Sequence, residues 1–323
     1  MQIFKSPNFN FVRWRWHAIV LSLVVILAGM VTIASKGLPL GVEFKGGTSV
    51  ILQFEQTPDI ARVRQALAAN MPGGDEAVVQ RYDDPDRRQV MIRVSEVGAE
   101  VGSELSRTAD LVEEAIRKGN VGAFTRVGAD IIGPVVGDQL RQRGIMATVL
   151  ALGGILAYIA LRFQFSFAVG AVVATIHDLL VTLSFLVFFN YDITLNVIAG
   201  ILTITGYSVN DTIVVFDRVR ENLRSMRRDR LDQIVNVAVN QTLTRTIITA
   251  GTTLFSVVAL FLFGGEALRG FAFTMIVGIV SGTYSTVFIA AAIAILWQGK
   301  KPLKGQPQAV ATSGEPKRRR RAS

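Results

Sequence analysis

Long apolar runs dominate the chain, and one long segment of mixed polar and apolar character separates the first run from the others. Six runs reach about 17 residues, which is the lower length limit for a helix that crosses a bilayer. The pattern therefore predicts a polytopic α-helical membrane protein with six spans, one followed by five. The predicted spans are Ala18–Ser35, Gly144–Leu161, Phe165–Phe189, Ile193–Phe216, Thr246–Phe263 and Phe271–Trp297.

The segment between the first and second runs carries strand and helix patterns instead of an apolar run. TSVILQFEQ alternates as a strand does, and Thr57 with Pro58 is typical of a helix start, with Thr57 as the N-cap. VVQRY and RQVMIRVSE flank the turn DDPD as in a hairpin. A helical stretch near Ala99–Lys118 and a last strand, AFTRVGA, follow. The order βαββαβ predicts a ferredoxin-like α+β domain.

Lys and Arg residues near the ends of the spans predict the orientation. Three precede the first run and seven lie in the segment 217–245, whereas the short loops on the other side carry only Arg269. Cytoplasmic loops are enriched in Lys and Arg, so both termini are predicted in the cytoplasm of a multi-pass inner-membrane protein. The predicted organisation is a cytoplasmic N-terminus (1–17), a first span (18–35), an external, periplasmic domain (36–143), a five-helix bundle (144–297) with a cytoplasmic loop (217–245), and a basic disordered cytoplasmic tail (298–323).

Composition agrees with this organisation and excludes several functions. Half of the residues are hydrophobic, 18% are charged, and the mean hydropathy is +0.41, which is too apolar for an ordinary soluble protein. The chain has no cysteine, and its two histidines, His17 and His177, are too few for a histidine-built metal centre. We therefore expect no disulfide, no metal, no cofactor and no enzymatic activity.

The net charge of +9 is concentrated at the end of the chain. From Lys300 onward there are eight Lys and Arg residues against a single acid, Glu315. Basic tails of this kind are disordered, and near anionic lipids each basic residue contributes about 1 kcal/mol of attraction. The tail is therefore interpreted either as a solvated extension that fixes the topology or as a contact with membrane lipids or with a ribosome, and we expect no nucleic acid as a partner.

Ionisable residues inside the fourth and fifth runs are the main candidates for function. A charged group at the bilayer centre costs about 2.5–3.5 kcal/mol on insertion scales, yet the fourth run contains Asn210 and Asp211. In the fifth segment, Arg245 and Thr249 begin a polar stripe that Thr252 and Ser256 continue on one helical face. Asp211 and Arg245 are therefore predicted to form a pair that lines a water-accessible seam, where both charges are tolerable. Asn210 and Thr249 beside them belong either to a proton path or to polar packing. The alternative is a static ion pair that only stabilises packing.

The third run contains a second polar pair, His177 and Asp178. Adjacent residues point about 100° apart on a helix, so we expect that the two do not form one dyad. They are interpreted either as polar contacts between helices or as groups beside the proton pathway. Asp178 and Asp211 also raise the possibility of an intramembrane aspartyl protease, but neither lies in a Gly-x-Gly-Asp context, so this reading is disfavoured.

Several motifs, taken together, resemble one family of bacterial protein-export membrane proteins, the SecF family. They are GVEFKGGT after the first run, IGPVVGDQL before the second, HD in the third, GYSVNDTIVVFDRVREN in the fourth and TLTRTIITAGTTL in the fifth. The resemblance covers about residues 10–298. One departure is Glu43, where the family usually has aspartate.

This resemblance implies a heterodimer with a SecD-like subunit that works beside a SecY-type channel on exported unfolded proteins. It implies that protons entering the membrane part drive movements of the external domains, and that Asp211 and Arg245 occupy the family's proton-pathway positions. Two alternatives stay open. One is a proton-coupled efflux transporter of the resistance-nodulation-division type, although such pumps have about twelve spans and two much larger external loops. The other is a passive assembly scaffold.

Because the chain contains no cysteine, its topology can be tested with single introduced thiols. Cysteines placed within residues 36–143 should react with a membrane-impermeant reagent only from the periplasmic side. Cysteines placed within residues 217–245, the matched controls, should react only from the cytoplasmic side. Labelling of the first group from the cytoplasmic side would contradict the predicted orientation.

Overall fold

The computed structural model describes residues 8–75, 77–82, 88–94, 104–132, 134–162, 165–226 and 228–298. The predicted turn DDPD and most of the basic tail lie outside these residues. The elements in chain order are a 3-10 turn (Phe11–Trp14), α1 (Arg15–Lys36), α2 (Val42–Lys45), β1 (Gly47–Phe54), α3 (Ile60–Asn70), β2 (Val78–Tyr82), β3 (Gln89–Val94), α4 (Glu104–Lys118), β4 (Phe124–Ile132), α5 (Pro134–Arg162), α6 (Phe165–Phe188), α7 (Leu195–Ser225), α8 (Leu231–Phe263), α9 (Glu266–Ser285), a π turn (Thr286–Ala290) and α10 (Ala291–Gln298).

The predicted α+β unit is confirmed as a four-stranded sheet with two helices. The strand order is β2-β3-β1-β4, and every neighbouring pair is antiparallel. Alternate residues of β3 are buried, including Val90, Ile92 and Val94, because successive side chains of a strand point to opposite faces. They pack with Leu67 of α3 and Val112 of α4, so both helices cover one face of the sheet.

The first helix of this unit begins two residues later than predicted. The N-cap is Asp59, whose carboxylate accepts a hydrogen bond from the Ala61 amide at 2.9 Å. The prediction of Thr57 as the cap was wrong, because Asp59 takes that position and its carboxylate satisfies a free amide of the first turn. Pro58 therefore precedes the cap instead of opening the helix.

Six helical segments are long and apolar enough to cross a membrane, which confirms the predicted number of spans. Two of them extend well beyond their apolar runs. α7 continues to Ser225 and α8 begins at Leu231, so most of the expected loop 217–245 is helical. The apolar run marks only the part of a helix that lies in lipid. Beyond it, Val219 on α7 and Ile234 on α8 still bury one amphipathic face.

α7 and α9 approach closely because two glycines face α7. A Cβ atom on Gly278 would lie 2.2 Å from the Ile204 side chain, and one on Gly282 would lie 3.0 Å from Cβ of Ser208. The four-residue spacing places both glycines on one face of α9, where small residues allow membrane helices to pack tightly. These two glycines therefore set the close approach of α7 and α9.

The N-terminal segment is held against α8 by two asparagines one turn apart. The amide of Phe9 donates to Oδ1 of Asn240, and the amide of Phe11 donates to Oδ1 of Asn236, both at 2.9 Å. Nδ2 of both asparagines donates in turn to the Phe9 carbonyl. The start of the chain is therefore tied to the helix that carries Arg245.

The α+β unit is docked on the loop between α6 and α7. The Gly41 amide donates to the Ile193 carbonyl at 2.9 Å, and the Ile193 amide donates to the Pro39 carbonyl at 2.6 Å. Arg93 of β3 forms an ion pair with Asp192 at 2.6 Å, and both side chains are mostly buried. Backbone pairing and an ion pair together fix the sheet to the end of the helix bundle where α6 and α7 are joined.

Removing the Arg93–Asp192 pair should loosen this docking without unfolding the sheet. Arg93→Asp places two acids together and should weaken the contact by about 1–3 kcal/mol, the range for hydrogen bonds that involve charged groups. The measurement is hydrogen exchange of residues 190–194, which should become faster. The exchanged pair Arg93→Asp with Asp192→Arg should recover part of the protection. Equal exchange in the single and double variants would show that the ion pair does not hold the domain.

Candidate functional site

Two carboxylates lie inside the helix bundle, Asp178 on α6 and Asp211 on α7. They differ in how their oxygens are hydrogen-bonded. Buried carboxylates in membrane spans mark functional or structural polar sites, and the number of donors around each one indicates which of the two can change its charge. The two environments are therefore described separately.

Asp178 is almost completely buried and accepts four hydrogen bonds. Oδ2 accepts from the hydroxyls of Ser208 at 2.5 Å and Ser285 at 2.7 Å. Oδ1 accepts from the hydroxyl of Ser281 at 2.8 Å and from Nδ1 of His177 at 3.0 Å. The donors come from α6, α7 and α9, so one carboxylate joins three spans. Every oxygen of Asp178 has two donors.

The expectation that His177 and Asp178 would not form one dyad was wrong. Their Cβ atoms leave the helix about 100° apart, but the His177 ring turns sideways until Nδ1 reaches the next carboxylate. That acceptor makes Nδ1 the protonated nitrogen, and Nε2 is buried without a hydrogen bond. The ring stacks on Tyr284 at 6.2 Å, and the Tyr284 hydroxyl donates to the Ala18 carbonyl of α1 at 2.7 Å.

Asp211 is less enclosed and less saturated than Asp178. Its Oδ1 accepts from the hydroxyl of Thr246 on α8 at 2.7 Å. Its Oδ2 is buried and has no hydrogen-bond partner within the described part of the chain. The carboxylate also interacts with the side chain of Thr286. Oδ1 of Asp211 is therefore hydrogen-bonded, while Oδ2 can still accept a proton or a hydrogen bond from a new donor.

Arg245 lies at about the same depth as Asp211 but does not contact it. At about 1.5 Å per residue, Asp211 is about 24 Å from the outer end of α7, and Arg245 is about 27 Å from the outer end of α8. Their charges interact, yet the described residues contain no ion pair between them within 4.0 Å. Thr246, the residue after Arg245, donates its hydroxyl to the Asp211 carboxylate instead. The predicted pair is close in space but not joined in this structure.

The remaining predicted residues lie on an uncovered polar face of α7 and α8. Asn210 is exposed, and so are Arg245 and Thr249, whose hydroxyl is bonded to the Arg245 carbonyl of its own helix at 2.9 Å. Polar groups and a guanidinium are costly against lipid. This polar face therefore requires protein or water in front of it. Its members are Thr203, Asn210, Arg245, Thr249, Thr252 and Ser256.

Sequence reasoning missed the hydroxyl groups that bind the carboxylates. Ser281 and Ser285 were not among the predicted site residues, although their four-residue spacing places both on one face of α9. That spacing was the available signal for a site that faces a buried acid. Thr246 and Thr286 carried no comparable signal, because single threonines are common in membrane helices, where they usually bond to their own backbone.

Six spans, a βαββαβ domain and carboxylates inside the bundle define a polytopic membrane protein of the transport type. The sequence matches the family described as "Protein export membrane protein SecD/SecF, C-terminal" over residues 111–300, and the "SecD/SecF GG Motif" over residues 31–58. The chain belongs to the SecF family of protein translocase subunits.

Individual relatives agree with this assignment. The protein translocase subunit SecF of Vibrio alginolyticus is 39% identical over 295 residues, with 91% of each chain covered. The SecF subunit of Rhodothermus marinus is 40% identical over 302 residues, covering 91% of this chain and 95% of that protein. The SecF subunit of Pseudomonas aeruginosa is 38% identical, covering 91% and 92%.

Two solved structures share the fold. The crystal structure of SecDF from Thermus thermophilus, a translocon-associated membrane protein, superimposes with a TM-score of 0.80 at 31% identity. It covers 91% of this chain and 39% of that chain. SecDF in its super-membrane-facing form superimposes with a TM-score of 0.66 at 31% identity, covering 93% and 40%. This chain therefore spans about two fifths of the SecDF chain.

The saturated Asp178 should be a determinant of stability. Asp178→Asn replaces an acceptor oxygen by a donor NH₂ group among hydroxyl and imidazole donors, so it should lower the thermal unfolding midpoint of the purified protein. Ser285→Ala removes one donor and should cost about 1 kcal/mol. Ser184→Ala is the matched control, because that hydroxyl on α6 is buried but bonded to its own helix at Leu180. Equal midpoints for Asp178→Asn and the control would contradict the structural role.

Proposed function

We propose that this chain is an auxiliary subunit of the Sec translocase that works with a SecD-like partner and couples proton entry at Asp211 to late steps of protein export. The observation that carries the proposal is the difference between the two intramembrane carboxylates. Asp178 is saturated by four donors, whereas Asp211 has one buried oxygen without a hydrogen bond. The second group can gain or lose a proton without breaking a network that joins three spans.

Arg245 fits the role of a movable partner for Asp211. A carboxyl group taken out of water favours its neutral form, and an adjacent arginine favours the charged form. In this structure Thr246 binds Asp211 while Arg245 stands apart on the exposed face. A small rotation or shift of α8 would bring Arg245 to the carboxylate in place of Thr246. The position of α8 and the protonation of Asp211 would then be linked.

The energy available from protons is large enough for such a movement. One proton that crosses the membrane yields about 2.3 kcal/mol per 100 mV, and about 1.4 kcal/mol more for each pH unit of gradient. Two conformations of a protein often differ by only a few kcal/mol. Protonation at Asp211 could therefore shift a balance between two arrangements of the bundle and the docked α+β domain.

A SecD-like subunit is the expected cover for the polar face of α7 and α8. The solved SecDF chains are more than twice as long as this chain, and a SecD-like subunit would supply the remaining part of such an assembly. A protein partner would remove Asn210 and Arg245 from lipid, and would leave a narrow path for protons beside Asp211. The SecY-type channel, unfolded export substrates and surrounding lipids complete the proposed set of partners.

The proposed orientation places both termini in the cytoplasm and the α+β domain in the periplasm. The domain is docked at the loop between α6 and α7, so that loop lies on the outer side. Asp211 and Arg245 then lie in the inner half of the bundle. The proposed role is non-enzymatic, in agreement with relatives that are named as translocase subunits. The efflux transporter is not favoured, because the relatives described above are SecF and SecDF proteins.

Asp211→Asn tests proton coupling directly. It keeps the size and a hydrogen-bonding oxygen but removes the titration, so it should abolish the proton-dependent part of export while the complex with the partner still assembles. Asp211→Glu should retain some activity, and Arg245→Ala should lose it. The measurement is translocation into inverted membrane vesicles with and without an uncoupler.

Asp217→Asn is the matched control, because Asp217 is an exposed acid on the same helix and should be replaceable. If Asp211→Asn exports protein with the same sensitivity to the uncoupler as the unmodified chain, Asp211 is structural. The passive scaffold would then be the better description.

A further inference from the structure

The sixth span is not a uniform α-helix. A π turn, Thr286–Ala290, separates α9 from α10. Such turns are rare within α-helices and occur frequently at functional sites. In this chain the turn begins beside both carboxylate environments, because Ser285 binds Asp178 and Thr286 lies against Thr212, the neighbour of Asp211. Two consecutive residues therefore serve two different sites.

Thr286 is unusual among the threonines of the spans. Thr205, Thr249 and Thr274 each donate their hydroxyl to a carbonyl of their own helix four residues earlier, which is the ordinary way to satisfy a buried threonine. The hydroxyl of Thr286 instead lies 3.0 Å from the hydroxyl of Thr212. Both residues are buried.

Thr286 lies at the first position of the π turn. Its amide donates to the Gly282 carbonyl of its own helix, but its hydroxyl is directed away from α9 and towards Thr212 on α7.

The Thr286 hydroxyl has two neighbouring groups, the Asp211 carboxylate and the Thr212 hydroxyl. Asp211 interacts with the Thr286 side chain, and its Oδ2 has no hydrogen bond in the described part of the chain. A hydroxyl has one proton to donate and two lone pairs to accept. Towards a charged Asp211, Thr286 can donate while it accepts from Thr212. Towards a protonated Asp211, it can accept while it donates to Thr212. Rotation of one hydroxyl serves both states.

We infer that Thr286, with Thr212 as its second partner, is a positioning residue for proton exchange at Asp211. The inference rests on the proposed function, since it assigns a role at the same carboxylate. In either protonation state the hydroxyl can turn from Thr212 to pair the open oxygen of Asp211, so the proton can arrive and leave without a large rearrangement of side chains. Thr286 holds this position at the first residue of the π turn.

The charged groups near Asp211 lie on helices other than the one that carries Thr286. α8 presents Arg245, which lies on the exposed side of the carboxylate. α6 presents Asp178 and His177, whose hydrogen bonds are taken up by each other and by serines. Within the described residues, the sixth span contributes hydroxyl groups here. Near Asp211, Thr286 thus supplies a neutral hydroxyl group, whereas Arg245 supplies the positive charge.

The test follows the titration of Asp211 itself. The full chain with its SecD-like partner is placed in lipid nanodiscs, and the infrared band of the protonated carboxyl group is recorded against pH. The band that Asp211→Asn removes belongs to Asp211. Thr286→Val keeps the shape but removes the hydroxyl. It should displace the midpoint of that band by about one pH unit, because the hydrogen bond lost from the charged carboxylate is about twice as strong as the one lost from the neutral acid. Thr286→Ser should restore the midpoint.

Two further variants make the result unambiguous. Thr274→Val is the matched control, because Thr274 is buried on α9 and its hydroxyl binds its own helix, so the midpoint should not move. Thr212→Val removes the second partner and should displace the midpoint even if Thr286→Val does not assemble. An unchanged midpoint in Thr286→Val would overturn the inference. If Thr286→Val does not assemble, an unchanged midpoint in Thr212→Val would overturn it. Loss of proton-dependent export in Asp211→Asn together with unchanged midpoints would overturn the role of Thr286 alone. Displaced midpoints with normal export in Asp211→Asn would overturn the proposed function alone.

Discussion

A buried carboxylate in a membrane span has to be surrounded by donors, and this requirement shapes the bundle around Asp178. Four donors from α6, α7 and α9 converge on its two oxygens. They can converge only because Gly278 and Gly282 let α7 and α9 approach closely. Tyr284 extends the same contact to α1 through the Ala18 carbonyl. The pairing of one acid therefore explains why these spans pack as a unit, with apolar contacts filling the space around it.

α8 packs on this unit but gives no donor to Asp178 within the described residues. Its buried apolar residues, such as Ala250 and Val257, pack with α7 and α9. Much of its membrane segment is nevertheless exposed, and its hydrogen bond to Asp211 is the single hydroxyl of Thr246. Asn236 and Asn240 hold its first part to the N-terminal segment. The proposed proton-sensitive contact thus lies between the spans joined by Asp178 and a helix that meets them mainly through apolar side chains.

Periodicity and length predicted the six spans and the βαββαβ order, because these features depend on local sequence alone. The apolar run of the fourth span could not reveal that α7 continues to Ser225, since a helix outside lipid needs only one apolar stripe. The contact of His177 with Asp178 was missed because helical angles describe Cβ directions and not the reach of a ring. The hydroxyl partners of Asp178 and Asp211, and the pair Arg93–Asp192, join residues far apart in sequence. Such contacts depend on how the helices pack.

One helix connects the proposed proton-exchange site with the docked α+β domain. α7 carries Asp211 about 24 Å from the end that follows the loop paired with Pro39, Gly41 and Arg93. A rigid helix can carry a shift along its axis, but coupling between distant sites also requires an element with two arrangements. The proposed exchange of Thr246 and Arg245 at Asp211 would supply those two arrangements. The ion pair of Asp192 with Arg93 places the sheet at the end of α7 next to that loop. Movement of α7 relative to α8 would therefore reach the docked domain directly, with no further hinge between them.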